Sequence, residues 1–327
     1  KKVNAVLLAI LILLFAGCGE KFSERDDGDH KPVEQNEVTV KDSDEGEDTQ
    51  KVDASKTDIS EPVPELVNPP DEPSEPESTN TSSEATEEET SPKGKNGLLD
   101  LDNSKQEYGQ GIHVDENNRP IGALDMQKKY GNHDAIFIGE MKNNIYLTFD
   151  EGYENGFTAQ ILDVLKEKNC SAVFFITMPY AKSNPELVKR MIDEGHVLGN
   201  HSVSHLSMPT LTVEKATAEI MNLHEYIKET YNYEMYLFRP PMGEFSERTL
   251  ELTSELGYKT MLWSFAYMDY DTSNQPEIEA AYERVTGAHH KGAVYLLHAI
   301  SETNTKILGR VIDDFRQKGY IVGAYTR

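Results

Sequence analysis

The stretch IYLTFDEGYENG, residues 145–156, combines an apolar run with two adjacent acids, and this combination bears on both the fold and the function. Its first five residues are apolar, aromatic or β-branched and predict a short buried strand. The run ends on two adjacent acids, Asp150 and Glu151. Such a pair is typical either of the first turn of a following helix or of a site at the end of a strand.

Strand-like and helix-like segments alternate from this stretch to the end of the chain. About seven such units predict an α/β fold with a parallel sheet, either a barrel or an open doubly wound sheet. Runs such as AVYLLH, residues 293–298, are continuously apolar up to the last residue, which favours strands covered on both faces. The strand patterns lie at 145–149, 172–177, 196–200, 235–238, 258–263, 293–298 and 320–325, and the helix patterns at 156–169, 184–195, 212–231, 246–257, about 276–288 and 304–319.

Unusual polar residues stand where these predicted strands end. They are Asp150, Glu151, His201, His205, Arg239, Asp269 and His298. Each has an ordinary structural explanation when it is taken alone, for example a core histidine at position 298 or a rigid proline turn after Arg239. In α/β barrels, however, catalytic groups gather at the carboxyl ends of the strands. The shared position therefore predicts one site.

The first 18 residues, KKVNAVLLAILILLFAGC, have the features of a secretory signal. Two lysines precede a short apolar run and a pair of small residues, and the run is too short for a membrane span. The sequence FAGC resembles a bacterial lipobox, so Cys18 is predicted to be the lipidated N-terminus of an exported protein. The alternative is an ordinary signal peptide in which Cys18 is incidental. With Cys170 as the only other cysteine, no disulfide framework is expected.

Residues 19–98 are predicted to be a disordered acidic linker. Within residues 19–95, 24 Asp and Glu stand against 8 Lys and Arg, and Ser, Thr and Pro are abundant. Such a segment buries too little apolar surface to offset its ordering entropy. The formal net charge of the whole chain, −25, argues against a nucleic acid partner. From about residue 100 the composition becomes that of a globular domain large enough for one core.

Five motifs follow one another in the globular part: TFDEG (148–152), HSVSH (201–205), RPPMG (239–243), WSFAYMDY (263–270) and YLLH (295–298). In this order they resemble the polysaccharide deacetylases, the NodB-like carbohydrate esterases of family 4, over about residues 108–327. TFDEGYENG, WSFAY, QPE (275–277) and HKGAVYLLHAIS are most similar to the branch of muramic acid de-N-acetylases. The resemblance implies a distorted parallel (β/α) barrel of about seven strands at 141–327, with an N-terminal extension at 99–140 packed on it.

The resemblance also implies a role for each matching residue. Asp150 would be the general base, His298 the general acid, and Arg239 the residue that orients a catalytic partner. His201 and His205 would bind one divalent metal ion, most often Zn²⁺ in the family, with Mn²⁺, Co²⁺ or Mg²⁺ as alternatives. The oxyanion and substrate groove would contain the backbone N–H of Met242 together with Gly243, Pro241, Trp263, Asp269, Tyr270 and Leu296.

Two positions depart from the family pattern. The family usually has Asp-Asp where this chain has Asp150-Glu151, and the second acid is normally a metal ligand. Glu151 is therefore either the third ligand or a side chain that points away and leaves a two-histidine site. The fourth motif usually begins with an Asp that pairs with the motif arginine, and the aligned residue here is Ala266. This leaves the partner of Arg239 open.

The implied function is metal-dependent removal of the N-acetyl group from N-acetylmuramic acid in peptidoglycan, leading to muramic δ-lactam in the spore cortex during sporulation. The protein is expected to be a monomer, lipid-anchored on the outer face of the cell membrane of a Gram-positive-type bacterium, and to act on glycan strands after an N-acetylmuramoyl amidase. One alternative is a deacetylase of N-acetylglucosamine in peptidoglycan or a chitin-type polymer. An alternative of another class is a non-catalytic lipoprotein that binds cell-wall glycan.

Overall fold

The structure, a computed structural model, describes residues 95–327. The predicted signal peptide, the lipidation site at Cys18 and nearly all of the predicted linker at 19–98 lie outside the described residues. Between residues 95 and 327, no helix is both long enough and apolar enough to cross a membrane. The described residues comprise the predicted extension and the predicted barrel.

The strands belong to one large parallel sheet and one small antiparallel pair. Between residues 95 and 327 they are β1 (Gln106–Glu107), β2 (Ala135–Ile136), β3 (Asn144–Glu151), β4 (Val173–Ile176), β5 (Val197–Asn200), β6 (Leu237–Phe238), β7 (Glu244–Phe245), β8 (Lys259–Met261), β9 (Ala293–His298) and β10 (Ile321–Gly323). The large sheet has the order β10-β3-β4-β5-β6-β8-β2, and β9 also pairs with β3.

The large sheet curls until its two sides approach each other. Because β9 pairs with β3 from Ile145 to Asp150, β4 and β10 share the other edge of β3. On its far side, β9 meets the segment after β8, where the Leu296 N–H donates to the Phe265 carbonyl at 2.8 Å. All pairings of the large sheet are parallel. The predicted distorted parallel barrel of about seven strands is thus confirmed.

Helices connect the strands. Those described are α1 (Lys95–Leu98), α2 (Ile121–Tyr130), α3 (Thr158–Glu167), α4 (Met178–Ser183), α5 (Pro185–Asp193), α6 (Val213–Tyr231), α7 (Glu247–Glu255), α8 (Ile278–Gly287) and α9 (Glu302–Gln317). Side-chain caps fix the starts of the two longest. Thr212 accepts the Lys215 N–H before α6, and Ser301 accepts the Asn304 N–H before α9.

The strands carry apolar side chains on both faces, and the two faces belong to different parts of the core. In β3, Ile145, Leu147 and Phe149 pack in the layer between the sheet and the helices. In β9, Val294 and Leu296 pack in the interior of the barrel. Successive side chains of a strand point to opposite faces. This alternation decides which residue at each strand end reaches the site.

The N-terminal extension is joined to the barrel by backbone pairing. β1 pairs antiparallel with β7, matching Gln106 with Phe245 and Glu107 with Glu244. β2 pairs parallel with β8, so the extension contributes a strand to the large sheet. The sequence patterns had not indicated either strand, because two-residue strands carry no detectable periodicity.

Candidate active site

The carboxyl ends of the parallel strands open into a pocket of about 430 Å³. Most of the residues predicted for the site lie in its wall, while Arg239, Glu151, Pro241 and Asp269 lie behind it. The wall consists of Asp150, Gly152, Tyr153, His201, His205, Pro240, Met242, Gly243, Trp263, Ala266, Tyr267, Tyr270, Leu296, His298 and Ile300.

Asp150 and Glu151 are the last two residues of β3 rather than the start of a helix, since α3 begins only at Thr158. Because strand side chains alternate, the two acids face opposite sides of the sheet. Asp150 lies in the pocket wall and Glu151 does not. The interpretation as an acidic helix turn is therefore wrong.

Asp150 forms a buried ion pair with Arg239. Arg239 Nη1 donates to Asp150 Oδ1 at 2.6 Å, and the Arg239 side chain is completely buried. Burial alone would raise the pKa of Asp150, but the charges of Arg239, His201 and His298 lower it overall. Asp150 is thus held as a carboxylate, and the partner of Arg239 that the sequence left open is Asp150.

The Arg239 guanidinium is fixed on its other sides as well. Its Nε donates to the Met261 carbonyl at 3.0 Å, and its Nη2 donates to the Leu262 carbonyl at 3.1 Å. Its Cζ lies 4.1 Å from the centroid of the Phe175 ring, a cation–π contact. A guanidinium held by these groups has little freedom to reorient. It therefore fixes the Asp150 carboxylate in one place.

His201 follows β5 and lies beside this ion pair. Its Nδ1 donates to the Arg239 carbonyl at 2.9 Å, and its Nε2 is 3.6 Å from Asp150 Oδ2. Burial lowers the pKa of His201 to about 4. The ring is therefore neutral near pH 7, with the Nε2 lone pair free on the side of Asp150, as a metal ligand requires.

His205 follows on a tight loop rather than on a helix. Its backbone has a left-handed φ of 54°, and its N–H donates to Ser202 Oγ at 2.9 Å. The His205 ring lies 4.8 Å from the His201 ring, centroid to centroid, and is exposed. The structure therefore brings the two predicted ligands together.

Glu151 is not part of this group. Its side chain is fully buried on the helix side of the sheet, where the Thr158 side chain lies nearby, but neither carboxylate oxygen makes a hydrogen bond of normal geometry. Burial, with the charges of Glu154 and Asp150, raises the pKa of Glu151 well above its usual range. The structure therefore does not support Glu151 as the third metal ligand. Within residues 95–327, no group of three or more His, Cys, Asp or Glu is arranged to hold a metal ion.

His298 ends β9 directly opposite Asp150, with which it is in register. Its Nδ1 donates to Asp269 Oδ1 at 2.7 Å, and its backbone N–H donates to Asp269 Oδ2 at 2.8 Å. Asn304 Nδ2 also donates to Asp269 Oδ2 at 2.5 Å. Asp269 was predicted to be in the substrate groove, but it is fully buried and serves as the partner of His298.

These contacts set the protonation of His298. Burial disfavours the charged imidazolium, but the hydrogen bond and charge of Asp269, with the charge of Asp150, outweigh it despite Arg239. The pKa of His298 is therefore raised above 6.5. With Nδ1 bound to Asp269, the proton available to a ligand is the one on Nε2.

If His298 is the general acid that the family resemblance implies, Asp269→Asn will move the alkaline limb of the pH–rate profile of acetate release to lower pH. An acid of raised pKa works below that pKa and fails as the pH rises through it. Removing the carboxylate lowers the pKa of His298, so the imidazole loses its proton, and the rate falls, at lower pH than in the wild type. The check is kcat/KM against pH for both proteins, with the exposed Asp313→Asn as the control. An unchanged alkaline limb would exclude His298 as the titrating acid.

The turn after Arg239 forms another part of the wall. Met242 has a left-handed φ of 59° and an exposed side chain, and Gly243 follows with φ of 68°. Pro240 lines the pocket, whereas Pro241, the proline predicted for the groove, is buried and does not line it. Proline fixes its own φ, so the turn is stiff on its leading side.

Aromatic and apolar side chains surround the pocket mouth. Tyr270, which was predicted, and Tyr153, which was not, are each 53% exposed. Tyr267 and Ile300 were also missed. Tyr153 lies in the stretch IYLTFDEGYENG, three residues after Asp150, so an aromatic residue this close to a candidate base could have indicated a substrate contact. The flat faces of these aromatic rings can stack on the apolar faces of sugar rings.

The chain is similar to known proteins in sequence. The polysaccharide deacetylase family model matches residues 139–261. The peptidoglycan-N-acetylmuramic acid deacetylase PdaA of Bacillus subtilis is 42% identical over 190 residues, which cover 58% of this chain and 72% of that protein. This chain belongs to the polysaccharide deacetylase family. A Bacillus cereus peptidoglycan-N-acetylglucosamine deacetylase is 32% identical over 55% of this chain and 87% of that protein.

Solved structures of the family show the same fold. The family 4 carbohydrate esterase PdaA of B. subtilis superposes with a TM-score of 0.65 at 36% identity, covering 68% of this chain and 96% of that chain. A family 4 pseudoenzyme from Bacillus anthracis gives a TM-score of 0.55 at 27% identity, covering 58% of this chain and 66% of that chain. The polysaccharide deacetylase family thus includes an inactive member, so activity must be argued from the site residues.

Proposed function

We propose that this polysaccharide deacetylase hydrolyses the N-acetyl group of N-acetylmuramic acid residues in peptidoglycan. The catalytic part of this proposal rests on one observation. Asp150, held as a carboxylate, and His298, with a raised pKa, end neighbouring strands in register and line one pocket. A base and an acid on opposite sides of one substrate bond are what amide hydrolysis needs.

In this proposal, Asp150 takes a proton from the attacking water, and Arg239 keeps its carboxylate oriented. His298 gives its Nε2 proton to the departing amine, which leaves poorly as an anion. Asp269 stabilises the imidazolium before the transfer. The backbone N–H of Met242, in the turn that faces the pocket, is proposed to donate to the developing oxyanion. Leu296 lies in the wall where the acetyl methyl group would pack.

We also propose that His201 and His205 hold a divalent metal ion. The fit rests on the neutral, oriented His201 Nε2 and on the neighbouring His205 ring. Two imidazoles suit Zn²⁺ among the ions considered, with Mn²⁺, Co²⁺ and Mg²⁺ as alternatives. An ion held there would act as a Lewis acid on the acetamide carbonyl. Since Glu151 faces away, we expect weak retention of the ion.

Metal removal is therefore expected to be easy. Dialysis of the purified protein against a chelator should lower the rate of acetate release strongly, and added Zn²⁺ should restore it. His205→Ala should need more Zn²⁺ for half-maximal activity, because one of the two imidazole ligands is lost. Metal content by mass spectrometry, measured beside the rate, makes the test complete. Full activity in protein shown to be free of metal would contradict a metal-dependent reaction.

The choice of muramic acid rests on the motifs of the de-N-acetylase branch and on the similarity to PdaA. By the same resemblance we propose that the product leads to muramic δ-lactam in spore cortex and that an N-acetylmuramoyl amidase acts first. From the signal-like residues 1–18 and the lipobox-like FAGC we propose that the protein is exported and lipid-anchored through Cys18, and we propose that it is a monomer. The similarity to an N-acetylglucosamine deacetylase keeps that substrate, or a chitin-type polymer, as the second candidate.

A panel of substrates tests the proposal. Acetate release is measured from peptidoglycan glycan with intact stem peptides, from the same glycan after amidase treatment, and from chitin oligomers. The expected result is release from the amidase-treated glycan alone. Release from chitin oligomers at an equal rate would favour the second candidate. Binding to glycan with no acetate release would favour the non-catalytic lipoprotein.

A further inference from the structure

Gln110, in the N-terminal extension, contacts two residues of the pocket wall through one amide group. Its Oε1 accepts from Trp263 Nε1 at 2.9 Å, and its Nε2 donates to the Ala266 carbonyl at 3.0 Å. Both Trp263 and Ala266 line the pocket. We propose that Gln110 is a positioning residue of the site that acts through Trp263. This inference rests on the proposed function for its catalytic readout.

Trp263 lies against the turn that carries the proposed oxyanion donor. A Cβ placed on Gly243 would come within 2.6 Å of Trp263 Cη2, so the indole ring packs directly on this glycine. The Arg239 Cζ lies 6.0 Å from the Trp263 ring. The indole thus lies against the Met242–Gly243 turn and close to the guanidinium that holds Asp150. We therefore expect a shift of the ring to displace one or both of these groups.

The same stretch of the extension contacts Trp263 and Gly243 through Tyr108. The Tyr108 hydroxyl donates to the Trp263 carbonyl at 2.5 Å, and the Tyr108 N–H donates to the Gly243 carbonyl at 3.2 Å. The rings of Tyr108 and Trp263 meet edge to face at 5.2 Å between centroids. Tyr108 therefore fixes the backbone on both sides of the contact, and Gln110 fixes the indole itself.

Gln110 is suited to testing because its side chain is only half-buried and lies outside both apolar core clusters. Replacing it by Leu keeps much of its volume but removes the acceptor of the indole N–H and the donor to Ala266. Without that acceptor the buried indole N–H is unpaired, which favours reorientation of the ring. Catalysis depends on placing donors within a fraction of an ångström, so a small reorientation is costly.

The sequence provides a direct probe of this contact, since Trp263 is the only tryptophan of the 327 residues. Fluorescence excited selectively at tryptophan therefore reports on Trp263 alone. In Gln110→Leu we expect lower emission anisotropy and stronger quenching by acrylamide than in the wild type. In Gln110→Glu, which keeps an acceptor but loses the donor to Ala266, we expect a smaller change.

The catalytic readout uses amidase-treated glycan. Gln110→Leu is expected to lower kcat about tenfold with little change in KM, because the oxyanion donor is displaced more than the aromatic side chains at the pocket mouth. A double-mutant cycle with Trp263→Phe should show that the two losses are not additive, as for residues acting through one contact. Gln317→Leu, exposed at the end of α9, is the matched control and should change neither readout.

The two readouts separate failure of this inference from failure of the proposed function. If the wild type releases no acetate from any glycan, the function is wrong, while the fluorescence of Gln110→Leu still tests the contact. Unchanged Trp263 fluorescence in a folded Gln110→Leu protein overturns the inference. It is also overturned if the activity losses add fully with Trp263→Phe, or if Gln110→Leu only lowers the melting temperature and leaves kcat intact.

Discussion

Asp150→Asn is expected to lower kcat/KM for acetate release by roughly 10²–10⁴-fold, the usual worth of a general base. The amide cannot take a proton from water, although it keeps the shape of the carboxylate and an oxygen that can accept from Arg239. Rates of acetate release from amidase-treated glycan give the measurement. Glycan binding, followed by co-sedimentation, should survive because the pocket wall is otherwise unchanged.

The neighbouring acid gives a matched control. Glu151→Gln is the same change of chemistry one residue further along β3, but its side chain faces the helices. Its raised pKa already favours the neutral form, which an amide imitates. We expect a rate close to that of the wild type. Loss of activity in Glu151→Gln, at an unchanged melting temperature, would mean that Glu151 belongs to the site after all.

Asp150→Asn also affects stability, and the two effects must be separated. Removing one partner of a buried ion pair typically costs about 3–5 kcal/mol, because the remaining charge stays buried without compensation. The retained oxygen of Asn reduces this cost. Melting curves followed by circular dichroism show whether the variant is folded at the assay temperature. Only a folded, inactive variant supports the role of a base.

His298→Ala is expected to have the second largest effect, also roughly 10²–10⁴-fold on the N-acetyl substrate. The reason is the leaving group, since an amine anion is expelled very slowly unless nitrogen is protonated. An aryl acetate leaves as a phenolate and needs no such proton. His298→Ala should therefore retain much more activity on an aryl acetate than on glycan, while Asp150→Asn should lose both.

The comparison of these two substrates is what makes the second prediction specific. A general loss of packing at His298 would lower both rates together, and so would a displaced Asp269. His298→Gln, which keeps a polar group beside Asp269, controls for the packing. Equal losses on glycan and aryl acetate in both His298 variants would contradict the role of a general acid.

The positions of the strands and of the main site residues could be predicted from the sequence. The apolar runs and the polar residues at their ends carry that information locally, which is why Asp150, His201, His205 and His298 were placed correctly in one pocket. The direction of Glu151 could not be read in the same way. The strand was expected to end at residue 149, whereas it continues to Glu151, so alternation puts its last two acids on opposite faces.

Pairings between distant residues were also beyond the sequence. The partners of Arg239 and of Asp269 lie 89 and 29 residues away, and no local pattern connects them. The contact of Gln110 with Trp263 spans 153 residues. Such contacts depend on how the barrel curls and on where the extension lies on it, which periodicity and composition do not determine.

The most direct test of the proposed function is the mass of the muramic acid residues themselves. Amidase-treated glycan is incubated with wild-type protein or with Asp150→Asn, digested to disaccharides, and analysed by tandem mass spectrometry. The wild type should remove one acetyl group from muramic acid and leave glucosamine acetylated, and Asp150→Asn should remove none. Acetyl loss from glucosamine alone, or equal loss with both proteins, would contradict the proposal.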